Sequence, residues 1–390
     1  MDARTGLPVI GMVGAGQLAR MTHQAVIALG QSLKVLAEVA EDGAAMVAAD
    51  VVVGDYRALE DLRAFAIGCD VLTFDHEHVP NEHLRALVAD GVTVAPGPDA
   101  LRFAQDKSVM RARLSDLGVA CPRWAIIDNQ DELAKFGAEV GWPLVIKAAR
   151  GGYDGKGVWT LASLDAAEPI LGELLERGIT VLVEERVAIR RELAAVVARS
   201  PFGQGAAWPV VETVQRDGIC VEVIAPAPDL DDETADHAED LALRIAGELG
   251  VVGVLAVELF ETVDGHLLVN ELAMRPHNSG HWTIEGARTS QFEQHARAVL
   301  DYPLGSTEAT APVTVMVNLL GGPDDVTPAG IDERMHHFMA RWRDVKVHLY
   351  GKQFRPGRKV GHVTALGVEL GEVRERARAA ADYLMNGDRP

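Results

Sequence analysis

The sequence has few cysteines and no run of apolar residues long enough to cross a membrane. Its 390 residues include three cysteines, Cys69, Cys121 and Cys220, which are far apart and form no CxxC pair. We therefore expect neither a disulfide framework nor a structural zinc site, and we expect a cytoplasmic location. Gly, Glu or Arg interrupts every apolar stretch before it reaches the roughly 18 residues of a membrane helix. The opening MDARTGLPVI has no apolar core after a basic start, so we expect no secretory signal.

Basic residues are also in deficit. The chain has 37 Lys and Arg against 57 Asp and Glu, which gives a net charge of −20. Nucleic-acid binders carry a basic patch, and peripheral membrane proteins are drawn to anionic lipid, so we expect neither partner here. A small anionic substrate stays compatible, because a pocket can be locally positive in an acidic protein. At about 150 residues per domain, the length predicts two or three domains.

The first hundred residues alternate short β-branched runs with amphipathic stretches. This alternation predicts a parallel α/β sheet, and the turn-forming run Ala95–Pro98 predicts a domain boundary. Farther along, predicted strands follow one another with few helices between them, which indicates an α+β region with an antiparallel sheet. One of these strands is expected over Ala206–Gln215. The last ninety residues predict further strands and a terminal helix.

A glycine motif follows the first predicted strand and opens a helix. Gly14–Ala19 fits the dinucleotide fingerprint G-x-G-x-x-G/A, and Glu38 ends the next strand about twenty residues later. In such sites phosphate lies at the helix N-terminus and the acid binds the ribose. The same residues also suit the tight strand-to-helix turn of any doubly wound domain. The motif alone leaves both interpretations open.

A second glycine-dense segment lies between two predicted strands. Arg150–Gly157 reads RGGYDGKG, and it forms a hairpin loop rather than a Walker A loop, which needs a following helix and Lys-Ser/Thr. Its glycines let backbone N–H groups wrap closely around an anion, and Lys147 and Lys156 supply positive charge. We therefore predict phosphate binding in preference to a merely flexible turn.

A predicted hairpin brings two glutamates together. Asp264-Gly265 is a preferred two-residue turn, and pairing outward from it places Glu258 opposite Glu271 on an otherwise apolar face. Opposed carboxylates repel each other, and a shared Mg²⁺ ion beside nucleotide phosphates would resolve the conflict. The alternative is that one glutamate carries a proton or pairs with Arg275.

Two further clusters carry polar donors. Arg275–Trp282, which reads RPHNSGHW, offers planar donors for a small oxyanion, although a satisfied loop is the simpler alternative. Lys352–Lys359 concentrates basic residues in an acidic protein. That run is typical of a solvated loop, with a site for a substrate phosphate as the competing interpretation.

Together these segments resemble the N5-carboxyaminoimidazole ribonucleotide synthetase family, ATP-grasp enzymes of purine biosynthesis. The resemblance extends from Val9 to beyond His362. RPHNSGHWT combined with TSQFEQH is highly specific, whereas the glycine loop alone would indicate only an ATP-grasp enzyme. The matching stretches are GAGQLARM, TFDHEHV, IKAARGGYDGKG, VEERVAIRREL, WPVVE, LLVNELAMRPHNSGHWTIEG, TSQFEQH and RPGRKVGH.

The resemblance implies a three-part α/β and α+β fold. It places a Rossmann-like domain at 1–98, an ATP-grasp domain at 99–305 and a small β-rich domain at 306–390. It implies ATP-dependent carboxylation of 5-aminoimidazole ribonucleotide by bicarbonate, through carboxyphosphate, to N5-carboxyaminoimidazole ribonucleotide, ADP and phosphate. ATP and Mg²⁺ are the implied cofactors, and a homodimer is the implied assembly.

The resemblance also assigns roles to individual residues. The implied ATP-binding residues are Lys107, Lys147, Gly152, Tyr153, Asp154, Gly155, Lys156, Gly157, Val158, Glu184, Glu185, Arg186, Val187, Glu192, Gln215, Asn270 and Glu271. The implied Mg²⁺ ligands are Glu258 and Glu271. The residues implied to bind the aminoimidazole ribonucleotide are Gln17, Leu18, Glu77, Tyr153, Arg275, Lys352, Arg355 and Lys359. The implied catalytic residues are Arg275, His277, Asn278 and Lys359, of which the first three match a bicarbonate pocket.

Three positions depart from the family pattern. Lys107 stands where many relatives have Arg, which keeps the charge but loses the planar fork. Gln215 stands where some relatives have His. Ala273 stands where many other ATP-grasp enzymes place a metal-ligating Asn, so we expect water to complete the metal shell. None of the three removes a group that the reaction requires.

Overall fold

The computed structural model describes residues 1–151, 157–321 and 330–387. The first part is the predicted parallel sheet, in the order β3-β2-β1-β4, with helices in the connections. Its strands are β1 (Val9–Val13), β2 (Ser32–Ala37), β3 (Asp50–Val53) and β4 (Val71–Phe74), and its helices are α1 (Gln17–Ala28), α2 (Leu59–Ala66) and α3 (Asn81–Ala89). The carboxyl ends of β1 and β4 lie side by side, which brings the glycine turn next to the segment that contains Glu77.

Two short helices lead out of this sheet. They are α4 (Pro98–Gln105) and α5 (Lys107–Asp116). The Asp106 side chain caps α5 by accepting hydrogen bonds from the backbone N–H groups of Ser108 (3.0 Å) and Val109 (3.2 Å). The helix therefore begins at Lys107, and Arg111 follows one turn later on the same side.

A small antiparallel sheet follows, in the order β5-β8-β6-β7. Its elements are β5 (Trp124–Ile127), α6 (Gln130–Val140), β6 (Leu144–Ala148), β7 (Val158–Leu161), α7 (Leu164–Glu176) and β8 (Val181–Glu185). Both helices share one apolar cluster with the sheet, so the opposite face is left for polar residues. Strands β6 and β7 pair directly, which confirms that the glycine-dense segment joins a hairpin.

The large sheet forms the centre of the molecule. Its strands are β9 (Ile189–Arg199), β10 (Gly205–Ala207), β11 (Val211–Arg216), β12 (Ile219–Ala225), β13 (Gly253–Thr262), β14 (Leu267–Ala273), β15 (Val313–Leu320), β16 (Lys346–Leu349) and β17 (Lys359–Gly367). They run in the order β14-β13-β9-β11-β12-β15-β17-β16, with β10 also on β9. Because β15 pairs with β12, the strands from the C-terminal part continue the central sheet.

Helices and a short loop cover the large sheet. Helix α8 packs against β9 and β13, and α12 packs against β15 and β17. The covering elements are α8 (Asp232–Glu248), a 3₁₀ turn (Asn278–Gly280), α9 (Thr283–Gly286), α10 (Gln291–Val299), α11 (Ile331–Arg341) and α12 (Leu370–Asn386). Among the described residues, none of the helices has the length and apolar character that crossing a membrane requires.

The prediction of one strand over Ala206–Gln215 is wrong. Strands β10 and β11 are separate, and the chain between them contains Pro209, which has no N–H group to donate to a ladder. Trp208 beside it is fully buried, and its indole Nε1 donates to the backbone oxygen of Thr289 at 3.0 Å. Both strands pair with β9 on either side of this break, and β11 pairs with β12 as well.

Candidate active site

The two glutamates of the hairpin face each other, as the sequence predicts. Glu258 on β13 pairs directly with Glu271 on β14, with Ala256 opposite Ala273 behind them. The turn is not the predicted two-residue turn, because the backbone N–H of Thr262 bonds to the oxygen of His266 and encloses three residues. A β-bulge at Asn270 takes up the difference, since Leu259 pairs with Val269 and the next pair is Glu258 with Glu271.

The pair is short of positive charge. Burial, followed by the neighbouring carboxylates of Glu271 and Glu192, raises the pKa of Glu258 to about 7. Glu271 has a cationic partner in Lys107, whose Nζ lies 2.9 Å from its Oε1. The predicted alternative in which Arg275 pairs with either glutamate is not seen, because Arg275 pairs with Glu77.

A metal ion at this place would have two protein carboxylates. Within the described ranges 1–151, 157–321 and 330–387, no group of three or more His, Cys, Asp or Glu side chains is arranged to hold a metal. Two carboxylates suit Mg²⁺ nevertheless, because Mg²⁺ is usually held by one or two carboxylates together with nucleotide phosphates and water. Burial and the neighbouring carboxylates favour the uncharged form of Glu258, and a cation between the two glutamates would relieve their mutual repulsion.

Lys147 lies at the end of β6 and is connected to this pair through Asn270. Its Nζ is 2.6 Å from Oε2 of Glu184 and donates to Oδ1 of Asn270 at 3.1 Å. Asn270 in turn donates through Nδ2 to Oε2 of Glu258 at 3.3 Å. The bulge at Asn270 therefore connects the carboxylate pair to the predicted phosphate-binding lysine.

Glu184 is held by a second cation that the sequence analysis did not identify. Arg111 on α5 donates through Nε to Oε1 of Glu184 at 2.7 Å and through Nη2 to the backbone oxygen of Asn270 at 2.7 Å. Burial favours the neutral form of Glu184, but the charges of Lys147 and Arg111 outweigh it and lower its pKa. The Glu184 side chain thus belongs to an ionic network.

Arg275 spans two parts of the fold. It follows β14, and its Nε donates to Oε2 of Glu77, which follows β4 of the parallel sheet, at 2.8 Å. Burial opposes the charge of Arg275, but Glu77 keeps its pKa raised. Glu77 Oε1 is buried and has no hydrogen-bond partner among the described residues. An unpaired buried acceptor of this kind is suited to a donor group on a ligand.

His277 is a neutral donor aimed at the carboxylate pair. Its Nδ1 accepts from the backbone N–H of Ser279 at 3.4 Å and lies 2.9 Å from Oγ of Ser279, and its Nε2 lies 3.4 Å from Oε1 of Glu258. Burial, followed by the charges of Arg275 and Lys359, lowers the pKa of His277 to about 3. At neutral pH this side chain can donate a hydrogen bond but carries no charge.

The Asn278 amide is already engaged. Its Nδ2 donates to Oδ1 of Asn318 at 3.0 Å, and Nδ2 of Asn318 donates back to Oδ1 of Asn278 at 2.8 Å. Asn318 lies on β15 and also donates to the backbone oxygen of Cys220 at 2.9 Å. The amide of Asn278 fixes the Arg275–His277 loop to the sheet in this structure.

The first glycine turn is closed by a carboxylate. Oδ2 of Asp75, after β4, accepts from the backbone N–H of Gly16 at 2.5 Å, and a Cβ atom on Gly14 would lie 1.8 Å from Oδ1 of Asp75. Glu38, the other element of the dinucleotide interpretation, is exposed and pairs with Arg57 at 2.8 Å. The helix N-terminus where a pyrophosphate would bind therefore faces a negative group, which disfavours that interpretation.

Several residues predicted to bind the ribonucleotide surround the same turn. Gln17 Oε1 accepts from Nζ of Lys352 at 2.5 Å, while Leu18 is buried beneath it in a small cluster with Met21, Phe292 and Tyr350. Arg355 is exposed and donates to Gln353 at 3.2 Å. Lys359 begins β17 opposite Leu320, and its charge reaches both Glu258 and His277.

The residues predicted along the nucleotide are more dispersed. Glu192 lies near Lys147, and burial raises its pKa even though Gln215 donates a hydrogen bond to it. Val158 pairs with Lys147 across β6 and β7, and Gly157 bonds to the adjoining Ala148. Gly152, Tyr153, Asp154, Gly155 and Lys156 lie outside the described residues.

A cavity of about 650 Å³ opens beside the end of β8. Glu185, Arg186 and Val187 line it together with the tip of the β13–β14 hairpin and the first turns of α8. Lys147, Glu258 and Glu271 are not among its lining residues. The cavity therefore adjoins three of the residues that the resemblance implies for ATP binding, and it lies away from the carboxylates.

The sequence analysis missed residues that hold this site together. Gln291 accepts from the backbone N–H of His277 at 2.8 Å and donates to the backbone oxygen of His277 at 2.7 Å. His295 bonds to Thr73 of β4 at 2.7 Å and accepts from Val254 of β13 at 3.0 Å. Both lie in TSQFEQH, which carries part of the family resemblance. Its helical spacing would have indicated that these polar side chains share a buried face.

Comparisons with known proteins show which family the sequence matches. Family models match the ribonucleotide synthetase preATP-grasp domain over residues 7–105, the ATP-grasp domain over 112–292 and the phosphoribosylaminoimidazole carboxylase C-terminal domain over 314–376. The N5-carboxyaminoimidazole ribonucleotide synthase of Mycobacterium tuberculosis strain H37Rv is 64% identical over 381 residues, covering 97% of this chain and 88% of the relative. The Bacillus subtilis enzyme of the same name is 36% identical over 357 residues, which cover 91% of this chain and 90% of that relative.

Solved structures show the same likeness. The chain is similar to the N5-carboxyaminoimidazole synthase of Aspergillus clavatus in complex with ADP and 5-aminoimidazole ribonucleotide. The TM-score is 0.86 at 30% identity, with 97% of this chain and 98% of that chain covered. The synthetase of Thermus thermophilus gives a TM-score of 0.84 at 36% identity, with 98% and 99% covered. The similarity therefore extends through all three parts of the fold.

Proposed function

The chain belongs to the N5-carboxyaminoimidazole ribonucleotide synthase family of ATP-grasp ligases, and on that premise we propose how its site performs the family reaction. The enzyme uses ATP and bicarbonate to carboxylate 5-aminoimidazole ribonucleotide. The products are N5-carboxyaminoimidazole ribonucleotide, ADP and phosphate, in purine biosynthesis.

Two sets of side-chain contacts, joined by the short backbone segment from Arg275 to His277, support this proposal. Glu77 contacts Arg275 at 2.8 Å, and His277 two residues later contacts Glu258 at 3.4 Å. Glu258 then leads through Asn270 to Lys147. A phosphate-binding lysine, a carboxylate pair, an oxyanion-binding arginine and an acceptor on the parallel sheet therefore share one wall. A reaction that activates a small anion with ATP and passes it to a second nucleotide needs that arrangement.

The first step activates bicarbonate, which is itself a poor electrophile. A bicarbonate oxygen attacks the γ-phosphorus of ATP, the bond to the bridging oxygen breaks, and carboxyphosphate and ADP result. Arg275 would hold the bicarbonate oxygens, and Lys147 would neutralise the phosphate charge during the transfer. His277, whose Nε2 lies 3.4 Å from Oε1 of Glu258, would help to hold that carboxylate in position.

Glu258 and Glu271 would hold Mg²⁺, which supplies positive charge to the ATP phosphates when it is bound. Lys107 now contacts Glu271 at 2.9 Å. Lys107 would be free to bind phosphate if Glu271 were engaged with Mg²⁺. Gly157 and Val158, at the end of the glycine loop, would lie on the same side as Lys147.

The second step transfers carbon to nitrogen. Carboxyphosphate breaks into CO₂ and phosphate, the exocyclic amine of the ribonucleotide attacks the carbon, and phosphate is available to take the amine proton. Gln17, Leu18, Glu77 and Arg275 would line the ribonucleotide, with Lys352, Arg355 and Lys359 near its phosphate. Water must be excluded because it would hydrolyse the intermediate.

Three wider expectations remain proposals. We propose a homodimer, tested by light scattering of the eluting protein, and a cytoplasmic location, tested by cell fractionation. We also propose domain limits near residues 98 and 305. Limited proteolysis would test these limits by the sizes of the stable fragments.

The test of the function is ADP release by the purified protein. We expect ADP release that depends on both bicarbonate and 5-aminoimidazole ribonucleotide, and we expect no change in absorbance or fluorescence when a nicotinamide cofactor is titrated in. ADP release that is independent of both substrates would contradict the specific reaction while leaving ATP binding intact. Saturable nicotinamide binding would favour the dinucleotide interpretation instead.

A further inference from the structure

Arg111 lies in a closed ring of hydrogen bonds behind the proposed phosphate site. Its guanidinium bonds to Glu184 and to the backbone oxygen of Asn270, both at 2.7 Å. Glu184 contacts Lys147 at 2.6 Å, and Lys147 donates to the Asn270 side chain at 3.1 Å. The ring therefore joins α5, the small sheet and the large sheet at one point.

Structural stability alone is a poor reason for this ring. Arg111 is 1% exposed, Glu184 is 2% exposed and Lys147 is 8% exposed, so three charged groups are kept from water. A buried ion pair is often no more stabilising than apolar residues of the same volume. The ring has two cations and one anion, and the nearby Glu192, whose pKa is raised by burial, is the carboxylate outside the ring on which the Lys147 charge acts. An anionic ligand would supply a further negative group.

The geometry also gives Arg111 control over two functional groups. It satisfies Oε1 of Glu184, which leaves Oε2 to hold the Lys147 ammonium. It also fixes the carbonyl of Asn270, the extra residue of the bulge that places Glu271 opposite Glu258. Without Arg111, Glu184 would have Lys147 as its remaining cationic partner in the ring, and the bulge would lose a charged hydrogen bond.

We propose that Arg111 is a positioning residue of the nucleotide site, which holds Lys147 and the Asn270 bulge in the arrangement that binds ATP phosphates. This rests on the proposed function, because it takes the ligand beside Lys147 to be ATP. Arg111 does not touch the substrate itself. It acts through Glu184 and Asn270.

The test compares Arg111→Met, Arg111→Lys and a matched control, Arg113→Met. Arg113 lies on the same helix, but its side chain is 37% exposed and lies 3.7 Å from Glu248. In Arg111→Met we expect the KM for ATP to rise at least about tenfold with a fall in kcat, because the hydrogen bonds lost are charge-assisted. The KM for 5-aminoimidazole ribonucleotide should stay within about twofold, since its proposed residues lie elsewhere.

The conservative variant separates charge from geometry. Arg111→Lys keeps the positive charge but loses the planar fork, so it should recover part of the ATP affinity. In Arg111→Met the acid limb of kcat/KM for ATP should move to higher pH, because Glu184 loses one of the two cations that lower its pKa. Arg113→Met should match the unmodified enzyme in all these measurements.

Binding of a fluorescent ATP analogue keeps this inference apart from the proposed function. If turnover does not depend on bicarbonate or the ribonucleotide, the proposed reaction fails, but weaker analogue binding in Arg111→Met still supports the role of Arg111. If folded Arg111→Met binds the analogue with unchanged affinity, the positioning role of Arg111 is overturned. An equal rise in the KM values for ATP and for the ribonucleotide would overturn it as well. If Arg111→Met does not fold, Arg111→Lys is compared with Arg113→Met instead. The same measurements of ATP-analogue affinity and of KM then decide.

Discussion

Glu258 and Glu271 face each other across β13 and β14 although the turn between their strands is one residue longer than the sequence predicts. The longer turn alone would place Glu258 opposite Asn270. The β-bulge at Asn270 shifts the register by one and restores the pair. The longer turn and the bulge therefore offset each other, so that Glu258 and Glu271 lie opposite each other.

Removal of either carboxylate should abolish most ATP turnover. We expect Glu271→Gln and Glu258→Gln to lower kcat/KM for ATP on the order of 100-fold, the scale of losing one group that stabilises transition-state charge. Measuring ADP release over a range of Mg²⁺ concentrations checks this, and the variants should need more Mg²⁺ for half-maximal rate. The exposed Glu176→Gln is the control. Full activity in Glu271→Gln would sink the metal assignment.

The glycine turn should tolerate no side chain. Gly14 has a φ of +100°, and a Cβ atom there would lie 1.8 Å from Asp75 Oδ1. We expect Gly14→Ala to raise the KM for 5-aminoimidazole ribonucleotide at least about tenfold, because the Asp75 carboxylate must move out of the turn. The matched control is Gly68→Ala, where φ is +84° but no atom lies within 4 Å of the added Cβ. Equal effects from both variants would show that backbone strain alone is responsible.

Acidification should destabilise the fold through its buried histidines. Burial lowers the pKa of His277 to about 3 and that of His295 to about 4, and it lowers the pKa values of His281 and His362 well below the ordinary range. An unfolded histidine titrates near pH 6.5, so below that pH the unfolded chain binds protons that the native chain does not. Below pH 6.5, each such histidine should therefore lower the free energy of unfolding by about 1.4 kcal/mol for every unit by which the pH is lowered.

Urea denaturation at pH 7.5, 6.5 and 5.5 checks this dependence. In His295→Gln, the free energy of unfolding should depend less steeply on pH below 6.5. The difference should correspond to about one proton, because the substitution removes one group that the native chain keeps neutral. His337→Gln replaces an exposed histidine and should leave the slope unchanged. A pH dependence in His295→Gln that equals that of the unmodified protein would contradict the assignment of a neutral buried His295, because the raised pKa of Glu258 acts in both proteins alike.

Short-range patterns predicted this protein well, and long-range contacts explain where they failed. The alternation of strands and helices indicated the parallel sheet, and the hairpin around Lys147 followed from its glycines. The contact between Arg111 and Glu184 joins residues 73 positions apart, and no local pattern encodes it. Likewise, the carboxylate of Asp75 over Gly16 distinguishes this turn from a dinucleotide site, and it becomes visible only when β4 lies beside β1. Propensity and spacing describe neighbours in sequence, whereas these functional differences arise from tertiary packing.

The contact between Glu77 and Arg275 should couple the ribonucleotide and bicarbonate parts of the site. Arg275→Met leaves Glu77 buried without a cation, and Glu77→Gln leaves Arg275 with a weaker neutral acceptor. We expect Arg275→Met to lower kcat on the order of 100-fold and Glu77→Gln to raise the KM for the ribonucleotide at least about tenfold. The fold-decrease in kcat/KM for the double variant should be much smaller than the product of the two single fold-decreases, because both substitutions remove the same contact. A double-mutant cycle on kcat/KM for the ribonucleotide measures this coupling. Strictly multiplicative losses would mean that the two side chains act independently.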